Sequence, residues 1–529
     1  MPAPARRTLT RRALLRGAAQ GAVAAGAASA LGGCASAAIP GASGYGGSGG
    51  SGPGGRLRVG IVGGSAKDTV DAHRTKTHPD EARAINLYDC LVTYDPDYKH
   101  EYALAEEIEP SKDAATWTIR LRDGLEFHNG KSVRAEDVAF TIKRILDPKD
   151  PKVGAEDLAS IDVDRMKALD KRTLRLHLKH PDAVLLDAFA QYPNGIVPVG
   201  YDPKHPVGAG PFKLESFEPG QQSVMTRHEN YWRPNQPHLA ELTIVDFTDD
   251  TARVNALLGA QVDAIDQLPL GLIHVIKAAA DLQVLESRTG AWLPFTMRVD
   301  RPPFDDVRVR QALRLVVDRE RMIKQVLSGH GAIANDLYAR YDPCYASDLP
   351  QRHQDLEKAR SLLRAAGKEN LRVKLVTASV AAGLVEAAQV FAQQAKGAGV
   401  QVDINKVNPG TFYGDRYLKW GFAQDFWFTR NFLSQAAKGS LPGSPYNETH
   451  WSDAEFRRLV AEARQTVDDK RRCELVAEAQ KIEYEKGGYI IWGFPDQIDA
   501  YNSRLEGFVP HKSGIPLTHY NFRRVRYRT

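Results

Sequence analysis

The sequence predicts an α/β chain of mixed topology, folded in more than one lobe. Three observations carry that reading. Segments of strand period and segments of helix period are interleaved along the chain. A strand–helix–strand unit is legible between residues 371 and 404. The length of 529 residues exceeds what one hydrophobic core organises, so two or three domains are expected.

The elements follow in order. Trp117, Ile119 and Leu121 alternate with Thr118, Arg120 and Arg122, the pattern of a half-buried strand. Asp123-Gly124 and Asn129-Gly130 are turn pairs on either side of Leu125 and Phe127. Val138, Ile142, Ile145 and Leu146 fall at helical spacing, and Leu174, Leu176 and Leu178 alternate as another strand. Val254, Leu257 and Leu258 mark a short helix behind Asp249-Asp250. Val309, Leu313, Val316 and Val317 share one helical face, which Met322, Ile323, Val326 and Leu327 extend to Gly329. Leu371, Val373 and Leu375 form a strand, residues 380–397 a helix, and Val400, Val402 and Ile404 a strand. Such a unit is expected to be right-handed and parallel. Ser452-Asp453-Ala454-Glu455 has the form of a capping box, and Tyr489 to Phe494 reads as one buried strand.

Charge is concentrated at the front. Arg6, Arg7, Arg11, Arg12 and Arg16 supply the whole formal excess of +5, with no acid before Cys34. The remainder is neutral in bulk, which argues against a nucleic-acid protein held by global charge. Thr10-Arg11-Arg12-Ala13-Leu14-Leu15-Arg16 looks like a twin-arginine export signal, followed by a stretch too short and bland for a good membrane span. Leu31-Gly32-Gly33-Cys34 resembles a lipobox, so residues 1–33 are expected to be removed and Cys34 lipidated. Residues 35–55 hold nine Gly, four Ser and two Pro. They are expected to be a flexible tether reaching roughly 25 Å. Of the other cysteines, Cys473 lies in a helical stretch and is expected to be free. A Cys90–Cys344 disulfide is compatible with export, and nothing in the sequence fixes it.

No catalytic constellation emerges. Gly46-Gly47-Ser48-Gly49-Gly50 and Gly44-Tyr45-Gly46-Gly47-Ser48-Gly49 match known patterns, but not between a strand and a helix. His177 with His180, and His73 with His78, read as solvated surface histidines rather than metal ligands. Asp249-Asp250 and Asp305-Asp306 precede helices, where capping explains them.

Several stretches together resemble the solute-binding proteins of ABC importers, in the family of the oligopeptide and dipeptide receptors (family 5). They are Leu91-Val92-Thr93-Tyr94-Asp95-Pro96, Thr116 to Gly130, Gly208-Ala209-Gly210-Pro211-Phe212, Asn230-Tyr231-Trp232, Pro303-Phe304-Asp305-Asp306-Val307-Arg308 and Tyr446-Asn447. The likeness runs from about residue 56 to the end. It implies a two-lobed, periplasmic-binding-protein-like clamp with mixed sheets and an extra inserted N-terminal subdomain. Lobe I would comprise 56–92, 205–290 and 495–529, the insert 93–204, and lobe II 291–494. It implies capture of a peptide or other small polar solute between the lobes, delivery to an ABC permease and no cofactor. The protein would be a monomer on the outer face of the cytoplasmic membrane, held by lipid at Cys34 and without nucleic acid. An exported hydrolase or a sensory binding protein on the same scaffold are the alternatives.

In peptide-binding relatives a Trp is followed three residues later by an Asp that pairs with the peptide ammonium. Here Trp427 matches the Trp and Arg430 stands in the place of the Asp. The resemblance therefore implies a ligand suited to a guanidinium: a carboxylate, a phosphate or a hydroxyl-rich solute. Asp425 takes the ammonium role only if the local alignment slips. Arg298, Gln424 and Asn431 complete the expected ligand-binding set.

Overall fold

The computed structural model describes residues 54–528. The leader, Cys34 and most of the tether lie outside the described residues. Two large sheets organise the chain. The first has eight strands, in the order Leu282–Arg288, Gly493–Asn502, Ala264–Ile265, Arg56–Val62, Glu241–Phe247, Gln222–Arg227 and Phe212–Glu218, with Gly331–Ile333 paired to Gly493–Asn502. At its centre Arg56–Val62 runs parallel to Glu241–Phe247, Val59 opposite Ile244. Leu57, Val59 and Ile61 point into the core and have no exposed surface. Gly60 between them leaves room for a ring, because a Cβ there would lie 3.0 Å from Phe247.

The second sheet has five strands, in the order Gln401–Lys406, Arg372–Thr377, Phe422–Gln424, Pro294–Met297 and Tyr489–Ile491. Arg372–Thr377, helix Leu384–Lys396 and Gln401–Lys406 form the strand–helix–strand unit, its strands parallel with Val373 opposite Val402. A smaller sheet of four strands, Ala105–Pro110, Thr116–Leu121, Thr173–His177 and Lys167–Ala168, packs with helix Ala135–Ile145 on Trp117, Ile119 and Leu121. The Gly208-Ala209-Gly210 motif is a packing device. A Cβ at Gly210 would come 2.5 Å from the carbonyl carbon of Leu87, at the end of helix His78–Leu87.

The chain passes between the two large sheets four times, to and from Gly331–Ile333 and at two adjacent places. One of these two joins Leu282–Arg288 to Pro294–Met297 through residues 289–293. The other lies at Trp492, where the run expected to be a single strand divides. Tyr489–Ile491 belongs to the second sheet and Gly493–Asn502 to the first. Thr289 Oγ1 ties the crossings together by donating to the Pro495 carbonyl at 2.7 Å.

Three local expectations are corrected. Cys473 is not free. Cys344 and Cys473 form a disulfide, Cα atoms 4.7 Å apart, that fastens a loop to helix Asp469–Lys486. Among the described residues the free thiol is Cys90, pushed well up by burial. His73 is buried rather than solvated. Its Nε2 meets the Gly195 carbonyl at 2.8 Å, its Nδ1 faces Arg144, and burial lowers its pKa to about 4. The helix after Ser452 is capped one residue later than expected, since Asp453 accepts from the backbone N–H groups of Glu455 and Phe456. Asp249 and Asp306 do cap helices Asp250–Leu258 and Val307–Leu315. Among the described residues no helix is long and apolar enough to cross a membrane.

Candidate functional site

A cavity of about 150 Å³ lies where the two large sheets face each other beside the chain crossings. The first-sheet side presents His78, Gln267, Thr289 and Asp496. The second-sheet side presents residues 380–382 and the aromatic run Phe426, Trp427 and Phe428. The cavity shares Gln267, residues 380–382 and residues 495–497 with a groove of about 610 Å³ that widens outward. A third cavity, about 570 Å³, is bordered by Arg288, Arg340 and again Asp496.

Local structure sets each wall. His78 opens helix His78–Leu87, whose N-cap Thr77 accepts from Asp80 N–H. The His78 ring meets Phe428 edge-on at 6.3 Å, and its Nδ1 lies 3.4 Å from Glu81. Burial pulls the His78 pKa down, but Glu81 and Asp266 outweigh it and the net shift is upward. Gln267 sits in left-handed backbone, φ +43°, held by its N–H on Asp499 Oδ1 at 3.0 Å. Beyond Pro516, Leu517, Thr518, His519 and Tyr520 all have positive φ, an uncommon run for non-glycine residues. Asp499 Oδ2, accepting from Leu517 N–H at 2.7 Å, and Asp266, accepting from the Tyr520 hydroxyl at 2.8 Å, hold this turn in place.

On the aromatic wall, Trp427 pairs its backbone with Trp292 in both directions, at 2.9 and 3.0 Å. The two indoles stack, centroids 5.8 Å apart and planes 9° from parallel. Tyr338 stacks on the buried Trp292, and Tyr446 meets Trp427 edge-on. Trp427 thus stands half-buried on the wall, its indole N–H buried on the side of the Glu448 carboxyl.

The other expected site residues lie elsewhere. Arg298 is buried away from the cavity, its guanidinium spent on Asp300 at 2.8 and 2.6 Å and on the Leu418 carbonyl at 2.9 Å. Gln424 is 1% exposed within the second sheet, and neither of its amide atoms finds a partner. Arg430 faces Asp157, between helix Ala135–Ile145 and strand Lys167–Ala168, and Asn431 faces Asp187, beyond strand Thr173–His177. Arg430 lies 3.8 Å from Asp157, and Lys438 lies 3.2 Å from the same carboxylate. Burial would lower the Arg430 pKa, but Asp157 and surrounding tyrosines raise it. Asn431 and Ser434 each donate to Asp187 at 2.7 Å, where Tyr94 and His100 also bond. Arg464 pairs with Asp182 on the same seam.

Asp425 is 4% exposed, and its oxygens are occupied. The hydroxyls of Tyr413 and Tyr417 donate to it at 2.6 and 3.2 Å, and Tyr417 also reaches Glu448 at 3.3 Å. Burial lifts both carboxyls, and the charge of Asp425 lifts Glu448 further.

Trp427, singled out by the family resemblance, borders this cavity, whereas the sequence marked none of its other polar neighbours. His78, Gln267 and Asp496 line the cavity without having been expected there. These become neighbours only through contacts between segments hundreds of residues apart, and no local pattern marks them.

The family model described as bacterial extracellular solute-binding proteins, family 5 Middle, matches residues 99–437. Di/tripeptide-binding protein 2 of Pseudomonas aeruginosa is 25% identical over 495 residues, covering 86% of this chain and 92% of its own. Among solved structures, the binding protein AgaA of A. tumefaciens R10 in complex with agropinic acid matches with TM-score 0.77 at 24% identity, over 90% of this chain and 99% of that one. The substrate-binding protein CtaP of Listeria monocytogenes matches with TM-score 0.80 at 20% identity, over 90% and 99%. The structural likenesses show the fold, that of a two-lobed binding protein.

Proposed function

Since the chain belongs to the bacterial extracellular solute-binding proteins of family 5, we propose that it captures a peptide or other small polar solute between its lobes and hands it unaltered to an ABC importer. The observation that carries this reading is the cavity itself. It is walled by both large sheets and set against the paired crossings, so a hinge motion there opens and closes it. Closure needs a guest that binds the shut form better than the open one. An aromatic wall facing a few unengaged polar groups has the make-up of a small-molecule site.

The leader motif, Cys34 and the tether support a lipid-anchored protein exported by the twin-arginine route. A tether of that composition lets the globule search while staying beside a permease. Trp427 belongs to the cleft in this reading. Arg430, Asn431 and the Asp182–Arg464 pair belong to the closed seam between the lobes.

The test is native mass spectrometry and thermal unfolding on protein purified from its own host. A co-purifying small molecule, whose removal lowers the melting temperature and whose return restores it without turnover, is the expected result. Steady conversion of that molecule by pure protein, abolished by mutating one cleft residue, would overturn the reading in favour of an enzyme.

A further inference from the structure

Resting on solute capture at this cleft, we propose that Asp496 reads the guest by holding a cationic group. The solute carries an ammonium or guanidinium that lodges against this hinge-side carboxylate, with the aromatic wall behind it. Asp496 borders the inner cavity, the outer groove and the third cavity. It lies on Gly493–Asn502, the strand that leaves the crossing at Trp492.

The other acids near the cleft are engaged or exposed. Asp266 accepts from Val62 N–H at 2.9 Å and from the Tyr520 hydroxyl. Asp499 accepts from Gln267 and Leu517 N–H and from the Gln497 amide. Asp250 pairs with Arg253 at 2.9 Å. Glu386 is exposed in the first turn of helix Leu384–Lys396, where the helix dipole accommodates it. Asp425 is sealed beneath Tyr413 and Tyr417. Asp496 alone in this set is half-buried at the cavity wall with its carboxylate uncommitted. Among the described residues it accepts no hydrogen bond and joins no ion pair, although its backbone N–H reaches the His330 carbonyl at 3.2 Å.

Cations surround Asp496 without pairing with it directly, and Arg288, His330 and Arg340 each favour its charged form from a distance. His330 is bound to Glu286 at 2.7 Å. Arg340 lies over the rings of Tyr341 and Phe494, at 5.1 and 4.8 Å. Arg288 is the direct cross-strand partner of Asp496, yet its guanidinium makes no ion pair with it. Burial and the charge of Glu286 lift the carboxyl to about 6 against the opposing pull of Arg288, His330 and Arg340, so it is largely ionised at neutral pH. A partly desolvated anion without a partner is costly, and a cationic guest removes that cost.

Two features narrow the class. Among the described residues no three metal-ligating side chains cluster, and one carboxylate does not make a divalent-cation cage. The aromatic residues that line the cavity, Phe426 and Phe428 with Trp427 between them, favour a cation bearing carbon substituents. With Arg430 away on the seam, no guanidinium on the aromatic wall opposes such a guest.

The experiment uses the low-molecular-weight fraction of yeast extract as probe. The full chain and its Asp496→Asn variant are each incubated with it, desalted, and their retained species identified by native mass spectrometry. Affinity for the main retained species is then measured by calorimetry. The expected result is that species retained by the wild type carry a cationic nitrogen, and that Asp496→Asn binds them at least about tenfold more weakly. If the Asn variant does not fold, Asp496→Glu serves. It is expected to keep the preference for cations at reduced affinity. Retention of neutral or anionic species, or unchanged binding by Asp496→Asn, overturns the assignment and leaves solute capture standing. Retention of nothing by the wild type overturns solute capture and the assignment with it.

Discussion

Removing the Cys344–Cys473 disulfide is expected to destabilise the protein without rearranging its native structure. The two residues are separated by 129 positions. Chain-entropy theory gives a loop of that length a loss of about 16–17 cal/mol/K, or about 5 kcal/mol at 25 °C. That figure is a ceiling, because unfolded chains retain structure and share part of the constraint. The native state has a second fastening at the same place. The Gln480 side chain donates to the Cys344 carbonyl at 2.8 Å and accepts from Ala346 N–H at 3.0 Å, so the loop stays docked on its helix when the sulfurs part. The effect therefore belongs to the unfolded chain. The assay is urea unfolding of wild type and of the Cys344→Ser/Cys473→Ser double variant, with and without reductant. The variant is expected to lose about 2–5 kcal/mol, and reduced wild type is expected to fall on the variant's curve. A loss below about 1 kcal/mol, or a wild type indifferent to reductant, would refute the reasoning.

Three further outcomes are expected. Glu483 is fully buried and lifted to about 7 by burial. A folded pKa above the unfolded one means its stabilising effect is complete below about pH 4.5 and is lost as pH rises through 7, by about 3 kcal/mol in all. Glu483→Gln should accordingly raise the urea midpoint at pH 8 relative to wild type and leave it nearly unchanged at pH 4. Gly210→Ala drives a methyl into the Leu87 backbone and is expected to cost about 1–3 kcal/mol by overpacking, read as a lower melting temperature. Unaltered melting would show that the loop yields. Trp427→Ala removes the indole stacked on Trp292 and is expected to cost about 1–3 kcal/mol of stability, less than a fully buried Trp. It should also weaken guest binding in calorimetry, and unchanged affinity would take Trp427 out of the cleft.

Much of the fold was legible because burial leaves a period in the sequence. Trp117, Ile119 and Leu121 alternate and form the core face of Thr116–Leu121. Leu371 to Ile404 reads as strand, helix and strand and folds as such, although Ile404 stays exposed. Periodicity fails where the period is right and the partner is distant. Tyr489 to Phe494 is apolar throughout, and nothing in it tells that the chain changes sheets at Trp492. Cys473 lies in a helix as read, but its partner is set by a fold that brings a remote loop to that helix. Ser452 and Asp453 are both good caps, and only geometry chooses the second. At the site, Trp427 was singled out by the family resemblance and by no period of its own. Asp496 follows a proline in an ordinary strand, and its role rests on which neighbours leave it alone.

The seam at Asp157, Asp182 and Asp187 has a mechanical consequence. The segments bearing these three acids enter from and return to the first sheet, yet their carboxylates grip Arg430, Lys438, Arg464, Asn431 and Ser434 of the other half. A limb rooted in one jaw and clasped to the other behaves like a spring clip. Water competes for each clasp as the jaws part, so every one adds only a little net grip. Several small grips acting together shape how long the clip stays shut, while the decision to shut is left to what it encloses.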